Sequence, residues 1–388
     1  SRGATDLFAQ ASILGLYDPD RARTLTDRGA IRPFGEFANA MHTIVAAQQA
    51  KQGAGIRILT ETVGSPTLAA QIREVLEKIP QAKWIQWEPY GRHNTREGSR
   101  LAFGEYVDAQ YAVDKADVIL SLDADFLCGG ASGVRYSRAF ATRRRLEGDC
   151  AQLNRLYAVE STPTNTGTRA DHRLPLKATE IAVFARALAA QLGVPGATAG
   201  TLPAAATSWL AAVAKDLQAN RGKGLVIAGD GQPAAVHALA HAINDTLGNS
   251  GSTVVYTNTV ESEPTDQRGA LQALVADMNA GAVDLLVVLG GNPVYSAPAD
   301  LNFAEAMKKV ATRAHLSLYE DETSALCQWQ IPEAHFLESW SDVRTDDGTA
   351  TIIQPLIAPL YEGKTAHEVV AALSGAERSA YDLVRAHW

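Results

Sequence analysis

Two glycine-bearing turns are the stretches of this 388-residue sequence whose residue types and spacing best suit ligand chemistry. Gly290-Gly291-Asn292-Pro293 follows an apolar, β-branched run over 284–289. Such a short run between turn signals reads as a strand buried on both faces of a parallel sheet. The two glycines tolerate positive φ and let a guest approach the backbone closely. In open α/β sheets ligands sit beyond the carboxyl ends of strands, so a phosphate or a nucleotide base is the expected guest. A tight turn would use the same four residues. Gly229-Asp230-Gly231, completed as G-x-G-x-x-A by Ala234, lies between a strand pattern and a helix pattern. A helix start there offers free N–H groups and a positive dipole end to a pyrophosphate. A nicotinamide site also needs an acid at the end of the next strand, about 20 residues on. That strand ends Tyr256-Thr257-Asn258, and Glu261 comes late, so a nicotinamide dehydrogenase is disfavoured. Phosphate binding of another kind and a close-packed strand–helix turn both remain open.

Other constellations carry less chemistry. His237 and His241 have the i, i+4 zinc spacing, but Ala238 stands where a metalloprotease has Glu and no third ligand is near. They read as a helix face. Asp123 and Asp125 close a strand and suit a hard cation or acid–base work; with no partner group visible, they read as loop caps. Gly363-Lys364-Thr365 resembles the tail of a P-loop, yet Ala358 occupies the position of the required first glycine. Cys128, Cys150 and Cys327 lack the spacing of a cluster or zinc site and are expected to be buried or half-buried free thiols. No metal site and no catalytic constellation is expected.

The net charge of −8 argues against a nucleic-acid surface. The one basic cluster, Arg135, Arg138 and Arg143-Arg144-Arg145, reads as a solvated helix face. Hydrophobic residues make up 46% of the chain, enough for a packed core, and no run reaches the roughly 18 apolar residues of a membrane span. The chain shows no signal peptide and opens without Met at Ser1-Arg2-Gly3, so it is expected to be a piece of something longer.

The elements that must position these turns alternate. Strands are expected at 56–60, 83–87, 118–122, 156–160, 224–228, 253–257, 284–289 and 315–319. Helices are expected over 34–52, 66–79, 178–192, 204–220, 234–247, 266–280 and 302–311. Residues 1–35 carry little regular pattern, and 161–175 reads as a loop. After Pro332 short strand pieces are expected at 334–338 and 349–353 around the Asp346-Asp347-Gly348 turn. The fold class is α/β, with two doubly wound, Rossmann-like domains.

Several stretches resemble the molybdopterin oxidoreductase superfamily, the dimethyl sulfoxide reductase and formate dehydrogenase group. Residues 224–251, ending Leu247-Gly248-Asn249-Ser250-Gly251, look like its strand–glycine–helix segment. Residues 287–298 resemble its Gly-x-Asn-Pro…Pro loop, which in the family holds the guanine end of the cofactor. Glu322-Thr323 matches its Glu-Thr pair, and His335 to Glu338, Gly348 and Gln354-Pro355 resemble its late conserved run. The resemblance implies the family's nested domains II and III: 1–55 plus 176–360 as one α/β domain, 56–175 inserted in it, and 361–388 as a helical tail. It also implies dinucleotide contacts at Gly229, Asp230, Gly231, Gly290, Gly291, Asn292, Pro293, Glu322 and Thr323.

A narrower resemblance is to the molybdopterin-like half of the large iron–sulfur subunit of bacterial alternative complex III, a quinol-oxidising complex. Residues 3–21, 123–127, 153–161 and 164–167 carry it. It departs from working molybdenum enzymes. The cluster-binding cysteine motif is absent, and the metal-ligand segment Glu61-Thr62-Val63-Gly64-Ser65-Pro66 has no Cys; only Ser65 could serve, and Ser65-Pro66 already reads as a helix start. The resemblance therefore implies a degenerate domain with neither molybdenum nor cluster. It would sit beside an iron–sulfur half and other subunits, exported by a Tat route to the periplasmic side of the inner membrane, peripheral to it. The alternative is a fragment of an active enzyme cradling molybdopterin guanine dinucleotide; a plain nucleotide-binding α/β enzyme ranks below both.

Overall fold

The computed structural model describes residues 3–130, 132–145, 153–376 and 378–388. The chain divides into two units. The first holds 92–259 together with 1–7 and 346–348; the second holds 8–91, 260–345 and 349–388.

The second unit is built on a seven-stranded sheet among the described residues. Its order is Ala30–Ile31, Thr26–Asp27, Trp329–Pro332, Thr312–Ser317, Leu285–Leu289, Ile56–Thr60, Lys83–Gln86. The last five strands are parallel. Leu285, Val287 and Leu289 face one apolar layer with Phe37, Ile72 and Val369, while Leu286 and Val288 face another with Leu271 and Met307. Burial on both faces explains why this strand has no polar alternation. Ser65 caps the helix Pro66–Lys78 by accepting from the Leu68 N–H (3.0 Å), with Pro at its first position.

The first unit carries a four-stranded parallel sheet in the order His172–Pro175, Arg155–Glu160, Val118–Leu122, Gly224–Ala228. Val254–Asn258 pairs antiparallel with Val107–Tyr111 beside it in a separate ladder. Val118, Leu120 and Leu122 pack under the helices Ala178–Gln191, Ala204–Ala219 and Ala234–Thr246, and Ile119 faces the opposite layer with Tyr136 and Phe140. Both sheets are thus covered on two sides, as an α/β, Rossmann-like reading requires.

The domain limits differ from those expected at 55/56 and 175/176. Strand Ile56–Thr60 pairs with Leu285–Leu289 (Ile56 opposite Leu285), which fixes residues 56–91 in the second unit. Gly224–Ala228 pairs with Val118–Leu122, which carries residues 176–259 into the first. The tail 361–388 is not separate either: Val369, Val370 and Leu373 of helix Ala366–Leu373 enter the same core as Phe37 and Ile72. Helices Leu7–Leu16 and His93–Phe103, and strand His172–Pro175, lie where no element was expected, and helix Gly133–Thr142 carries Arg135 and Arg138 of the basic cluster.

Candidate functional site

The strand order of the second unit reverses between Ile56–Thr60 and Leu285–Leu289. From the first of these the chain steps outward to Lys83–Gln86; from the second it steps the other way, to Thr312–Ser317 and Trp329–Pro332. Loops leaving two such strands diverge and open a crevice at their carboxyl ends. The crevice is present. It holds a cleft of about 520 Å³ lined by Thr60, Glu61, Gly290, Gly291, Tyr319 and Glu333, among others. A second cavity of about 90 Å³, lined by Trp87, Pro89, Pro293 and Ser296, shares Glu61, Gly290, Gly291 and Asn292 with it.

Six of the nine expected contact residues meet here. Gly290 and Gly291 take φ of +73° and +67°, the left-handed region that glycine enters without penalty. Asn292 ties the turn to the next loop: its Nδ2 donates to Glu322 Oε2 (2.6 Å), and its Oδ1 accepts from Thr323 Oγ1 (2.8 Å). Thr323 Oγ1 in turn accepts from the Val294 N–H (3.1 Å), and Pro293 starts the short helix Pro293–Ser296. The Asn292 amide holds the exposed Glu322 carboxyl below its ordinary range.

Three residues shape the site without having been expected in it. His315, buried, donates from Nε2 to the Gly291 carbonyl (3.0 Å), while its Nδ1 meets Ser324 Oγ (2.9 Å). Burial lowers its pKa; a carbonyl only accepts, so the neutral ring carries its proton on Nε2. Glu61 follows Thr60 directly and leans on the glycine turn: a Cβ on Gly291 would lie 3.2 Å from Glu61 Cγ. Loss of hydration, then the charge of Glu88, raise the Glu61 carboxyl. Glu333 is pushed up to about 8 by burial first and by Glu61 second, with Arg21 opposing. Arg21 itself is committed to Glu338 (2.7 Å) and to the carbonyls of Leu16 and Glu333. The sequence signal for Glu61 was its place immediately after the first strand of the sheet; Glu333 and His315 had none.

The other three expected contacts, Gly229, Asp230 and Gly231, sit at the corresponding reversal in the first unit, between Val118–Leu122 and Gly224–Ala228. Here backbone crosses directly beside the first glycine. A Cβ on Gly229 would lie 2.0 Å from the Asp123 carbonyl oxygen. The Asp123 carboxylate accepts from the Ser161 N–H (3.0 Å) and Gln232 Nε2 (2.9 Å), and Asp125 accepts from the N–H and hydroxyl of Thr166 (both 2.8 Å). Asp230 accepts from Thr95 Oγ1 (2.8 Å). The glycine is there for close packing, and the two aspartates are loop caps.

His237 and His241 are buried, and burial pushes both down to about 4; His241 Nδ1 meets Tyr256 Oη at 3.2 Å. Among the described residues no group of three or more His, Cys, Asp or Glu is placed to hold a metal ion. Cys128 is exposed, contrary to expectation, because it lies in the loop after Asp125; Cys327 is half-buried, and burial pushes it up to about 12. Cys150 lies outside the described residues. Arg143 and Arg144 of the basic cluster are paired with Asp117 (2.6 Å) and Asp171 (2.5 Å). No helix among the described residues is long and apolar enough to cross a membrane.

No family model matches the sequence. The chain is similar to the menaquinone reductase molybdopterin-binding-like subunit of Nitratidesulfovibrio vulgaris, at 28% identity over 305 residues, which are 68% of this chain and 44% of the relative. It therefore spans less than half of that protein's length. In fold it is similar to acetylene hydratase from Pelobacter acetylenicus, with a TM-score of 0.71 and 12% identity over 98% of this chain and 66% of the other. The formyltransferase/hydrolase complex of Methylorubrum extorquens, in complex with methylofuran, is a more distant likeness, with a TM-score of 0.58 and 14% identity, covering 94% and 99%.

Proposed function

The chain resembles the molybdopterin oxidoreductase superfamily in sequence and fold, and from that premise we propose that it is a structural, non-catalytic body of a quinone-linked respiratory oxidoreductase complex. One observation carries this reading: the cleft that has the backbone of a dinucleotide cradle has the side chains of a site for something else. Glu61, Asp321 and, ionised only above about pH 8, Glu333 line it, and among the described residues no Lys, Arg or His does. A pyrophosphate bound there would meet carboxylates at close range with no compensating cation. The two hydroxyls in the expected metal-ligand segment are also spoken for, Thr62 Oγ1 accepting from Gln267 Nε2 (2.9 Å). Ser65 caps its helix and donates to Asp342, which further accepts from Thr67 Oγ1 (2.6 Å) and Trp388 Nε1 (2.9 Å). These residues do not fit molybdopterin guanine dinucleotide or its metal. The reading as a fragment of an active molybdenum enzyme is correspondingly weaker.

Membership of a complex is supported by the relative, named as one subunit of a menaquinone reductase. It is also supported by the helix Leu7–Leu16, which has no charged residue and leaves Phe8, Ile13 and Leu14 exposed. Exposed apolar clusters of this kind mark protein contacts. The finer assignment is an alternative complex III type of assembly on the periplasmic side of the inner membrane, peripheral to it. In it an iron–sulfur neighbour would carry the clusters, and this body would hold that neighbour and its electron-transfer partners in register.

The test is the molybdenum, tungsten and pterin content of the intact complex purified from its native host. Iron without molybdenum, tungsten or pterin is expected. Stoichiometric metal and pterin would overturn the structural role and make the glycine turns a working cradle.

A further inference from the structure

The two cavities at the glycine turn share one wall, formed by Thr60, Glu61, Gly290, Gly291 and Asn292, and the one carboxylate in that wall is that of Glu61. It lines both the 520 Å³ cleft and the 90 Å³ cavity, as do Gly290, Gly291 and Asn292. A Cβ on Gly290 would lie 3.4 Å from Glu61 Oε2; one on Gly291 would lie 3.2 Å from Cγ, 3.5 Å from Cδ and 3.6 Å from Oε1. The face that two successive glycines leave bare is therefore covered by a carboxylate of the same chain. No described residue pairs with that carboxylate through a hydrogen bond or an ion pair.

We propose that Glu61 is an internal occupant of the nucleotide cradle: its carboxylate stands on the Gly290-Gly291 turn in the place of a ligand diphosphate and divides one continuous groove into two. Closure by Glu61 deepens the structural role proposed above and rests on it. The volume of the side chain blocks the turn, and its charge repels phosphate. Glu88 acts electrostatically on Glu61, and Glu61 on Glu333, so the carboxyl groups around this wall are linked. At about 4 Å a single like-charge pair near a protein surface weakens binding by at least roughly tenfold.

Binding of GDP with Mg²⁺ to the intact 388-residue chain, measured by calorimetry for the wild type, Glu61→Ala and Glu61→Gln, tests this. The wild type is expected to show no binding up to millimolar GDP. Glu61→Ala removes volume and charge, joins the cavities and gains at least about tenfold. Glu61→Gln keeps the volume, loses the charge and falls between the two. Since the carboxylate has no partner to lose, both variants are expected to melt with the wild type, and a shared melting temperature qualifies the comparison; should one variant fail to fold, the other decides. Micromolar GDP binding by the wild type, or no gain in Glu61→Ala with none in Glu61→Gln, overturns the closure. The structural role fails on a different result, metal and pterin in the native complex, so the two are separable.

Discussion

The two sheets reverse their strand order in the same way and put a glycine turn at the same topological place, yet backbone fills the space beside the first glycine of one turn and a side chain fills it in the other. In the first unit the carbonyl of Asp123 fills the space beside Gly229, and Gln232 reaches back to the Asp123 carboxylate. In the second unit the backbone beside Gly290 and Gly291 stays apart, and only a side chain, Glu61, enters the gap. A switch point makes a crevice available; what fills it is decided by the few residues just past the strand ends. Backbone closure is permanent, whereas side-chain closure can be undone by one substitution.

The largest expected effect breaks the comparison on the side filled by backbone. Gly229→Ala drives a Cβ into a backbone carbonyl that cannot swing away, and overpacking of this kind costs about 3 kcal/mol. Gly231→Ala, with nothing within 4 Å of the added atom and no positive φ, is the control. Urea unfolding, with hydrogen exchange to locate the loss in the first unit, reads both. Equal stability of the two variants would remove the packing account of Gly229.

The next effect sharpens the contrast through pH. Glu333 titrates at about 8 in the folded chain, against 4.5 ordinarily. The folded state holds this proton longer than the unfolded chain, so the carboxyl's contribution is intact below about pH 4.5 and is lost as pH rises toward 8. The Glu333→Gln variant should match the wild type near pH 4.5 and exceed it at pH 9. The gain is on the order of 2 kcal/mol, less than the full shift because the cleft is open to water. The buried histidines of the first unit have the opposite sign. His237 and His241 lie near 4 in place of 6.5, so their contribution is intact above about pH 6.5 and is lost as pH falls toward 4. Thermal unfolding across pH 4–9 should show an alkaline limb from Glu333 and an acid limb to which the buried His367 of the second unit also contributes, and His241→Gln should flatten only the acid limb, by about 1 kcal/mol.

The turn geometry itself gives a smaller effect. Gly291→Ala forces an L-residue to φ +67° against Glu61 Cγ. A left-handed conformation costs such a residue roughly 1–2 kcal/mol. The double variant Gly291→Ala/Glu61→Ala relieves the contact but not the φ, so it should recover only part of the loss. Full recovery would mean that contact with Glu61, and not conformation, is what selects glycine there.

How much of this was legible follows from what is local. The strand Leu285–Leu289 and its turn could be read because burial on both faces writes a continuous apolar run. The helix Pro66–Lys78 could be read because Ser65 and Pro66 signal its start. The helix Leu7–Leu16 escaped because it has apolar residues on every side and so no period to detect. The unit boundaries escaped because they depend on which strand Ile56–Thr60 chooses as a neighbour, and that neighbour lies far along the chain. The turn at 290–293 and the pair Glu322-Thr323 each stand out by resemblance, while the hydrogen bonds that join them are visible only in the fold. Glu61 and Glu333 end different strands, and only the register of the sheet brings both to one cleft; no spacing along the sequence encodes that.

The smallest expected effect isolates the link between those two loops. Asn292→Ala removes the donor to Glu322 and the acceptor of the Thr323 hydroxyl, while Thr323 still accepts from the Val294 N–H. The turn therefore keeps one tether and both left-handed glycines, and the loss should stay near 0.5–1 kcal/mol, as for a helix cap. A more specific readout is Glu322, whose carboxyl is held low first by the Asn292 amide and which is exposed enough to titrate freely. In the variant its pKa, followed by NMR, should rise toward the ordinary glutamate range, while GDP binding stays absent because Glu61 still covers the turn. A Glu322 titration unmoved by Asn292→Ala would mean that the 322–323 loop holds its place without the amide, leaving the main-chain tether at Val294 to join the two loops.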